Sequence, residues 1–231
     1  MPTLIEELKK DIRFIEGLNS CINCGTCTAI CPAAQFYPYD PRLIADTVQS
    51  NHEGEIENLL KSNTIWYCGE CLSCKTRCPQ GNTPGYLIQA LRALSIKTGL
   101  FMESEQGRKQ LALKRTIGEH ILTYGYCVYI DEVNTGMYPE QGPVWDWLKK
   151  NLQTIAERLH LSYRKRQSGT LRQIDEEGLN HLRRIFDETG ATAQFEQMEK
   201  LGALKAREMN MDDQSYFNYL YNTNPEDNEQ K

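Results

Sequence analysis

Apolar residues recur at helical spacing in one segment of this chain after another. Thr3 and Glu6 frame a capping box, and Leu4, Leu8, Ile12 and Ile15 then share one face up to Gly17, which predicts a single helix. Asp40-Pro41 is an N-cap followed by an N1 proline. Leu43, Ile44 and Val48 come next at helical spacing, and Ile56, Leu59 and Leu60 repeat the pattern after Gly54. Thr83-Pro84 opens another helix, with Leu87, Ile88, Leu91 and Leu94 on its apolar side and Gly99 at its end. Further helices are predicted over 104–123, 143–161, 175–189 and 192–208. Pro143 starts the second of these, whose Val144, Leu148, Leu152, Ile155 and Leu159 form one stripe. Residues 127–130 offer a short extended piece at most, and the polar residues 222–231 predict a disordered tail. The pattern is that of an all-α protein.

Two cysteine runs interrupt this pattern. Residues 21–32 read Cys21-Ile-Asn-Cys24-Gly-Thr-Cys27-Thr-Ala-Ile-Cys31-Pro32, and residues 68–79 read Cys68-Gly-Glu-Cys71-Leu-Ser-Cys74-Lys-Thr-Arg-Cys78-Pro79. Both are C-x2-C-x2-C-x3-C-P, the spacing of bacterial-type [4Fe–4S] sites. Three thiolates on one tight loop reach three irons of a cube, and the fourth iron takes a thiolate from elsewhere. In two-cluster proteins the fourth cysteine of each motif serves the other cluster. The expected ligand sets are therefore Cys21, Cys24, Cys27 and Cys78 for the first [4Fe–4S] cluster, and Cys68, Cys71, Cys74 and Cys31 for the second. Pro32 and Pro79 fix φ after the last ligand. Gly25 and Gly69 are expected to let backbone N–H groups approach the sulfurs. A pair of zinc sites is the alternative, but zinc needs neither the third cysteine at the same step nor the Cys-Pro ending in both copies.

Motif one has only neutral residues between its cysteines, whereas motif two carries Glu70, Lys75 and Arg77. Positive charge favours the reduced cluster, so the cluster held mainly by motif two is expected to have the higher potential unless Lys75 and Arg77 point to solvent. The two motifs, with the helices between and around them, predict an α-helical ferredoxin domain over residues 1–100 and a helical, partner-binding extension over 101–221.

Composition narrows the function. Of 231 residues, 40% are apolar and 25% charged, enough for a core in an ordinary soluble chain. The formal net charge is −5. Two bound clusters would lower it by about 4, to roughly −9, a surface that repels nucleic acid and suits a basic docking face. No apolar run approaches the length of a membrane span, and the N-terminus lacks a signal-peptide pattern. A cytoplasmic location is expected, with any membrane link made through a partner.

The residues flanking the motifs carry a resemblance. Tyr37-Pro-Tyr-Asp-Pro-Arg42, Ile65-Trp-Tyr-Cys68 and Ala90-Leu-Arg92 resemble the C subunit of heterodisulfide reductase across roughly the first hundred residues. The resemblance implies a two-cluster electron carrier in a hetero-oligomer. Its partners would be a catalytic polypeptide with CCG motifs and a flavin-bearing polypeptide with further iron–sulfur clusters. The length of the extension is similar to the heterodisulfide-reductase-like complexes of sulfur-oxidising bacteria, which would place the chain in sulfur metabolism. There is no CCG signature, no G-x-G-x-x-G and no evident catalytic motif, so the chain is expected to conduct electrons without a catalytic site of its own. Two other readings stay open. One is the iron–sulfur subunit of a flavin-dependent dehydrogenase of lactate, glycerol-phosphate or succinate type. The other is an interaction protein whose clusters only staple the fold.

Several residues have plainer readings. Cys127, the ninth cysteine, reads as a small buried hydrophobe. His52, His120, His160 and His181 are scattered and read as surface or helix-packing residues. Arg164-Lys-Arg166 reads as a solvated helix end. Tyr216, Phe217, Tyr219, Leu220 and Tyr221 form an aromatic run expected to pack into a partner subunit, or else to fold back on the second helical half. Trp66, just ahead of Cys68, either shields a cluster from water or belongs to the core.

Overall fold

A computed structural model describes residues 2–136 and 141–222. The predicted tail beyond 222 lies outside the described residues. Among the described residues there are helices and no strands.

The helices are α1 (Leu4–Leu8), α2 (Ile12–Gly17), α3 (Thr26–Ala29), α4 (Pro41–Gln49), α5 (Glu53–Lys61), α6 (Pro84–Thr98), α7 (Glu105–Arg108), α8 (Gln110–Leu113), α9 (Glu119–Tyr124), α10 (Gly142–Arg158), α11 (Glu176–Glu188), α12 (Ala191–Glu208) and α13 (Asp213–Asn222). Single 3-10 turns cover Pro32–Gln35, Thr64–Tyr67, Lys75–Arg77 and Leu100–Glu103, and a π turn over Lys114–Gly118 links α8 to α9. The chain forms two compact units that do not follow chain order. Residues up to Gln110 group with those from Glu196 onward, and Leu111–Phe195 form the other unit.

The first unit is built on α6. Leu87, Ile88, Ala90, Leu91 and Leu94 are buried on it, and Ile5, Leu8, Ile44, Val48, Ile56, Leu60 and Ile65 complete the core. Each fully buried aliphatic side chain of this kind contributes about 1.5–3 kcal/mol. The predicted single N-terminal helix is two helices. The capping box at Thr3 is present, but Asp11 accepts a hydrogen bond from Arg13 N and starts a new helix. That break rotates the apolar stripe, leaving Ile12 and Ile15 exposed while Leu8 stays buried. Gly17 ends α2 against α6 so closely that a Cβ there would lie 2.5 Å from Leu87 N. Asp40 caps α4 as expected, accepting from Arg42 N at 2.8 Å and Leu43 N at 3.1 Å, and Thr28 Oγ1 also donates to it. One carboxylate thus ties α4 to the end of motif one.

The C-terminal part of this unit contains a helix that periodicity did not predict. In α13, Tyr216 and Leu220 lie four residues apart and are 1% and 2% exposed. Asp212 starts the helix by accepting from Ser215 N at 2.9 Å. The aromatic run therefore splits. Tyr216 and Leu220 are buried in a segment that groups with the unit holding the cysteine motifs, while Phe217, Tyr219 and Tyr221 are less buried.

The second unit has a small core of Leu152, Ala156 and Tyr163, with Ile130, Leu148, Leu161 and Leu171 against it. Tyr163 donates to Asp131, which also pairs with Arg164 at 3.0 Å. Residues 127–130 form bends and turns rather than a strand. Val144 and Leu159 are exposed, so the α10 stripe is only partly buried, through Leu152 and Ala156.

Candidate functional site

The two cysteine loops share a backbone plan. Asn23 and Glu70, each two residues after the first cysteine, both take φ 53. That left-handed turn aims their N–H groups back at Cys21 Sγ (3.5 Å) and Cys68 Sγ (3.4 Å). Gly25 and Leu72, each just after the second cysteine, are again left-handed, at φ 80 and φ 57. Gly25 thus serves the turn as expected. Gly69 does not: it falls at the position of Ile22, has ordinary φ, and has open space where a Cβ would go. The counterpart of Gly25 is Leu72, whose strain no residue pattern announces. Cys31 and Cys78 end their motifs with nearly the same extended backbone, φ −74, ψ 117 and φ −72, ψ 119.

The side chains repeat as well. Cys24 Sγ lies 3.3 Å from Thr26 Oγ1, and Cys71 Sγ lies 3.4 Å from Ser73 Oγ. A hydroxyl and backbone N–H of Thr26 hold the Cys24 thiol below its ordinary pKa, and Ser73 does the same for Cys71. Burial pushes Cys27 and Cys74 up. For Cys74 the rise is opposed by Gly85 N–H at the start of α6, where the helix dipole favours negative charge. Cys24 and Cys71 are exposed, and the other six motif cysteines are partly buried.

Two cavities gather these thiols, and each gathers a crossed set. One, of about 440 Å3, is lined by Cys68, Cys71 and Cys74 together with Cys31. The other is much narrower and is lined by Cys21, Cys24 and Cys27 together with Cys78. Among the described residues no three acidic, histidine or cysteine side chains converge closely enough to grip a single ion; the thiols of each set border a shared space instead. The walls are suited to an electron-rich sulfur group. Backbone N–H groups and hydroxyls already address the sulfurs of Cys21, Cys24, Cys27, Cys68, Cys71 and Cys74. In the narrower cavity Asn82 also presents a buried amide nitrogen that has no acceptor in the protein.

The larger cavity has an aromatic wall. Tyr37 and Tyr67 stack with centroids 4.5 Å apart, and Trp66 lines the space while packing on the core. Tyr39 is 4% exposed. Burial raises its pKa far above normal, and the negative charge of Cys68, to which its hydroxyl is hydrogen-bonded, raises it further. Its hydroxyl is therefore a fixed donor. Lys75 and Arg77, the cations singled out for the second cluster, are both exposed, with Lys75 over the Tyr86 ring. The cation that reaches the loop is Arg92. Its guanidinium donates to Ile65 O at 2.8 Å, Cys68 O at 2.6 Å and Glu70 Oε1, and it lies over the Trp66 ring. One helical turn beyond Ile88 on α6, it had no charge pattern to mark it.

The remaining candidates lie elsewhere. Cys127 is exposed in the second unit, contrary to the buried reading, because residues 127–128 turn outward after Gly125 ends α9. His52, His160 and His181 are exposed, and His120 packs edge-on against Tyr124.

The helical fold and the paired thiol cages define a dicluster ferredoxin, and residues 17–82 match the model of the 4Fe-4S dicluster domain. Similarity extends well beyond that segment. The C subunit of the ferredoxin:CoB-CoM heterodisulfide reductase of Methanosarcina acetivorans is 39% identical over 164 residues, 70% of this chain and 62% of the relative. The protein of the same name from Methanosarcina mazei is 30% identical over 156 residues, 66% of this chain and 88% of the relative. The iron–sulfur C subunit of the CoB–CoM heterodisulfide reductase of Methanopyrus kandleri is 28% identical over 137 residues, 57% of this chain and 65% of the relative. The chain belongs to the family of heterodisulfide reductase C subunits. It spans about three-fifths of the length of the M. acetivorans relative, and that match is too long to stop at residue 100, so it takes in part of the extension.

Among the described residues no helix is long and apolar enough to cross a membrane.

Proposed function

We propose that this chain is the electron-relaying iron–sulfur subunit of a heterodisulfide-reductase-type complex. Cys21, Cys24, Cys27 and Cys78 hold one [4Fe–4S] cluster, and Cys68, Cys71, Cys74 and Cys31 hold the other. The observation that carries this reading is the crossed grouping of thiols in the two cavities, the ligand exchange used by two-cluster ferredoxins. The clusters supply reversible one-electron chemistry. The protein's own residues hold the sulfurs in place, set the field around them and limit water. Cys24 and Cys71 bring one corner of each cluster to the surface, so each has an edge where a partner's centre can approach.

The names of the relatives support the wider assignment. Electrons pass between a flavin and iron–sulfur subunit on one side and a CCG-type thiol/disulfide subunit on the other, in a cytoplasmic hetero-oligomer of sulfur metabolism. Substrate chemistry belongs to the partners, and this chain has no catalytic site of its own.

Four-serine variants test the ligand sets. After anaerobic reconstitution the unaltered chain should hold about eight irons. Replacing Cys21, Cys24, Cys27 and Cys78 together should leave about four irons and one intact cluster signal in EPR. Replacing Cys21, Cys24, Cys27 and Cys31 should leave a damaged cluster. The reverse pattern would show that each motif ligates its own cluster. Co-purification with a CCG-motif protein and a flavoprotein tests the assembly, and a different flavin dehydrogenase as partner would refute it.

A further inference from the structure

Asn82 sits four residues after Cys78, just ahead of α6, and is 2% exposed. Its Oδ1 accepts the backbone N–H of Asn19 at 2.8 Å and of Ser20 at 3.4 Å. Two backbone donors on one atom require that atom to be oxygen, which fixes the orientation of the amide. The other branch, Nδ2, is buried and has no acceptor in the protein. The residue lines the narrower cavity with Cys21, Cys24, Cys27 and Cys78. A buried amide donor left unpaired costs about 1–3 kcal/mol, and folded proteins rarely keep one. The cavity that Asn82 lines beside four thiols is where an acceptor can come from.

We infer that Asn82 donates an N–H···S hydrogen bond to the cluster held by Cys21, Cys24, Cys27 and Cys78, and that this bond raises the potential of that cluster alone. The inference rests on the cluster assignment proposed above. Reduction places one more electron on the cube and makes its sulfurs better acceptors, so a fixed donor stabilises the reduced state more than the oxidised one. The amide donor belongs to one cluster because the pseudo-repeat is broken here; the buried donor without an acceptor that lines the larger cavity is a different group, Trp66 Nε1. Four residues after Cys31 the chain has Gln35, which does not line the larger cavity. Asn82 is a positioning residue for electron transfer, acting on the cluster's energy rather than on a substrate.

The experiment uses the full chain, reconstituted anaerobically and labelled with 15N in the asparagine side chains. ENDOR of the reduced protein should show a weak coupling to the 15N of an asparagine side chain on one cluster. It should vanish in Asn82→Asp, which keeps the oxygen that receives Asn19 and Ser20. In that variant the one-electron reduction equilibrium of the same cluster should fall at least tenfold, about 59 mV, with the other cluster unmoved. Two clusters without any asparagine coupling, or equal shifts in both potentials, would overturn the inference and leave the cluster assignment standing. A chain that takes up zinc in place of iron would overturn both. If Asn82→Asp does not fold, the ENDOR result on the unaltered chain decides alone.

Discussion

Arg92 does three things with one side chain. Its fork closes the lead-in to motif two by bonding Ile65 O and Cys68 O, it neutralises Glu70, and it covers Trp66. Lysine cannot reproduce that geometry. Arg92→Lys should destabilise the chain by roughly 1.5–3 kcal/mol, the scale of hydrogen bonds to a charged group, as measured by chemical denaturation. Arg92→Gln should lower the potential of the cluster next to Cys68, while Lys75→Gln and Arg77→Gln should matter less, since both side chains face solvent. At Gly25, φ 80 is expensive for any residue with a Cβ. Gly25→Ala should cost about 1–2 kcal/mol and slow cluster incorporation into motif one, read from the iron content over time. The cysteine motifs, and the crossed pairing of their thiols that the two cavities show, were legible from spacing alone. Tyr39 and Arg92 stood within the flanking segments that carry the resemblance and Asn82 did not, but the roles of all three were hidden, because they depend on which sulfur or carbonyl the fold brings to ordinary residue types.

The helices that packed most nearly as expected are α4, capped by Asp40 and buried through Ile44 and Val48 although Leu43 is exposed, and α6, whose stripe is wholly buried although Thr83 makes no side-chain cap bond. The departures have local causes. Asp11 outcompeted continuation of the first helix by offering its carboxylate as a cap, and α13 hid behind aromatics, serine and asparagine, which are mediocre helix formers. Its stability comes from burying Tyr216 and Leu220. The close contact of α2 with α6 makes Gly17 a sensitive point. A methyl group there meets the Leu87 backbone, so Gly17→Ala should cost about 1–3 kcal/mol by overpacking and shift the thermal midpoint downward. The cap on α4 gives a pH effect. Burial would raise the pKa of Asp40, but donation from Thr28, Leu43 and Arg42 outweighs it and the net shift is downward. A carboxylate whose folded pKa is depressed contributes stability above its unfolded pKa, and that contribution is lost as pH falls through the folded value. Asp40→Ala should therefore cost about 0.5–2 kcal/mol at neutral pH. The difference should close below pH 3.8, the ordinary value for this group, in denaturation curves taken across acid pH.

At the scale of the whole molecule, residues 196–222 group with the cysteine-bearing half. Removing residues 212–231 should therefore expose core, with Tyr216 and Leu220 gone, and lower the midpoint of unfolding of that unit. An unchanged midpoint, with loss of complex assembly alone, would assign the segment to docking instead. Chain order could not foretell this return, because periodicity reports which face of a helix is apolar and not which other helix covers it.

The crossed thiol sets have a consequence for damage. With the ligand sets proposed above, each cube would rivet the loop of one motif to the tail of the other, so losing one would loosen the neighbourhood of its partner. Oxygen that attacks the corner at Cys24 frees Cys78 and with it the segment leading into α6, whose first turn supports Cys74. Under anaerobic conditions the second cube should survive loss of the first, but in air it should bleach faster than in a chain that still holds both. In air, then, a chain with one damaged cube is short-lived, and a half-conducting form that would strand an electron between partners does not accumulate.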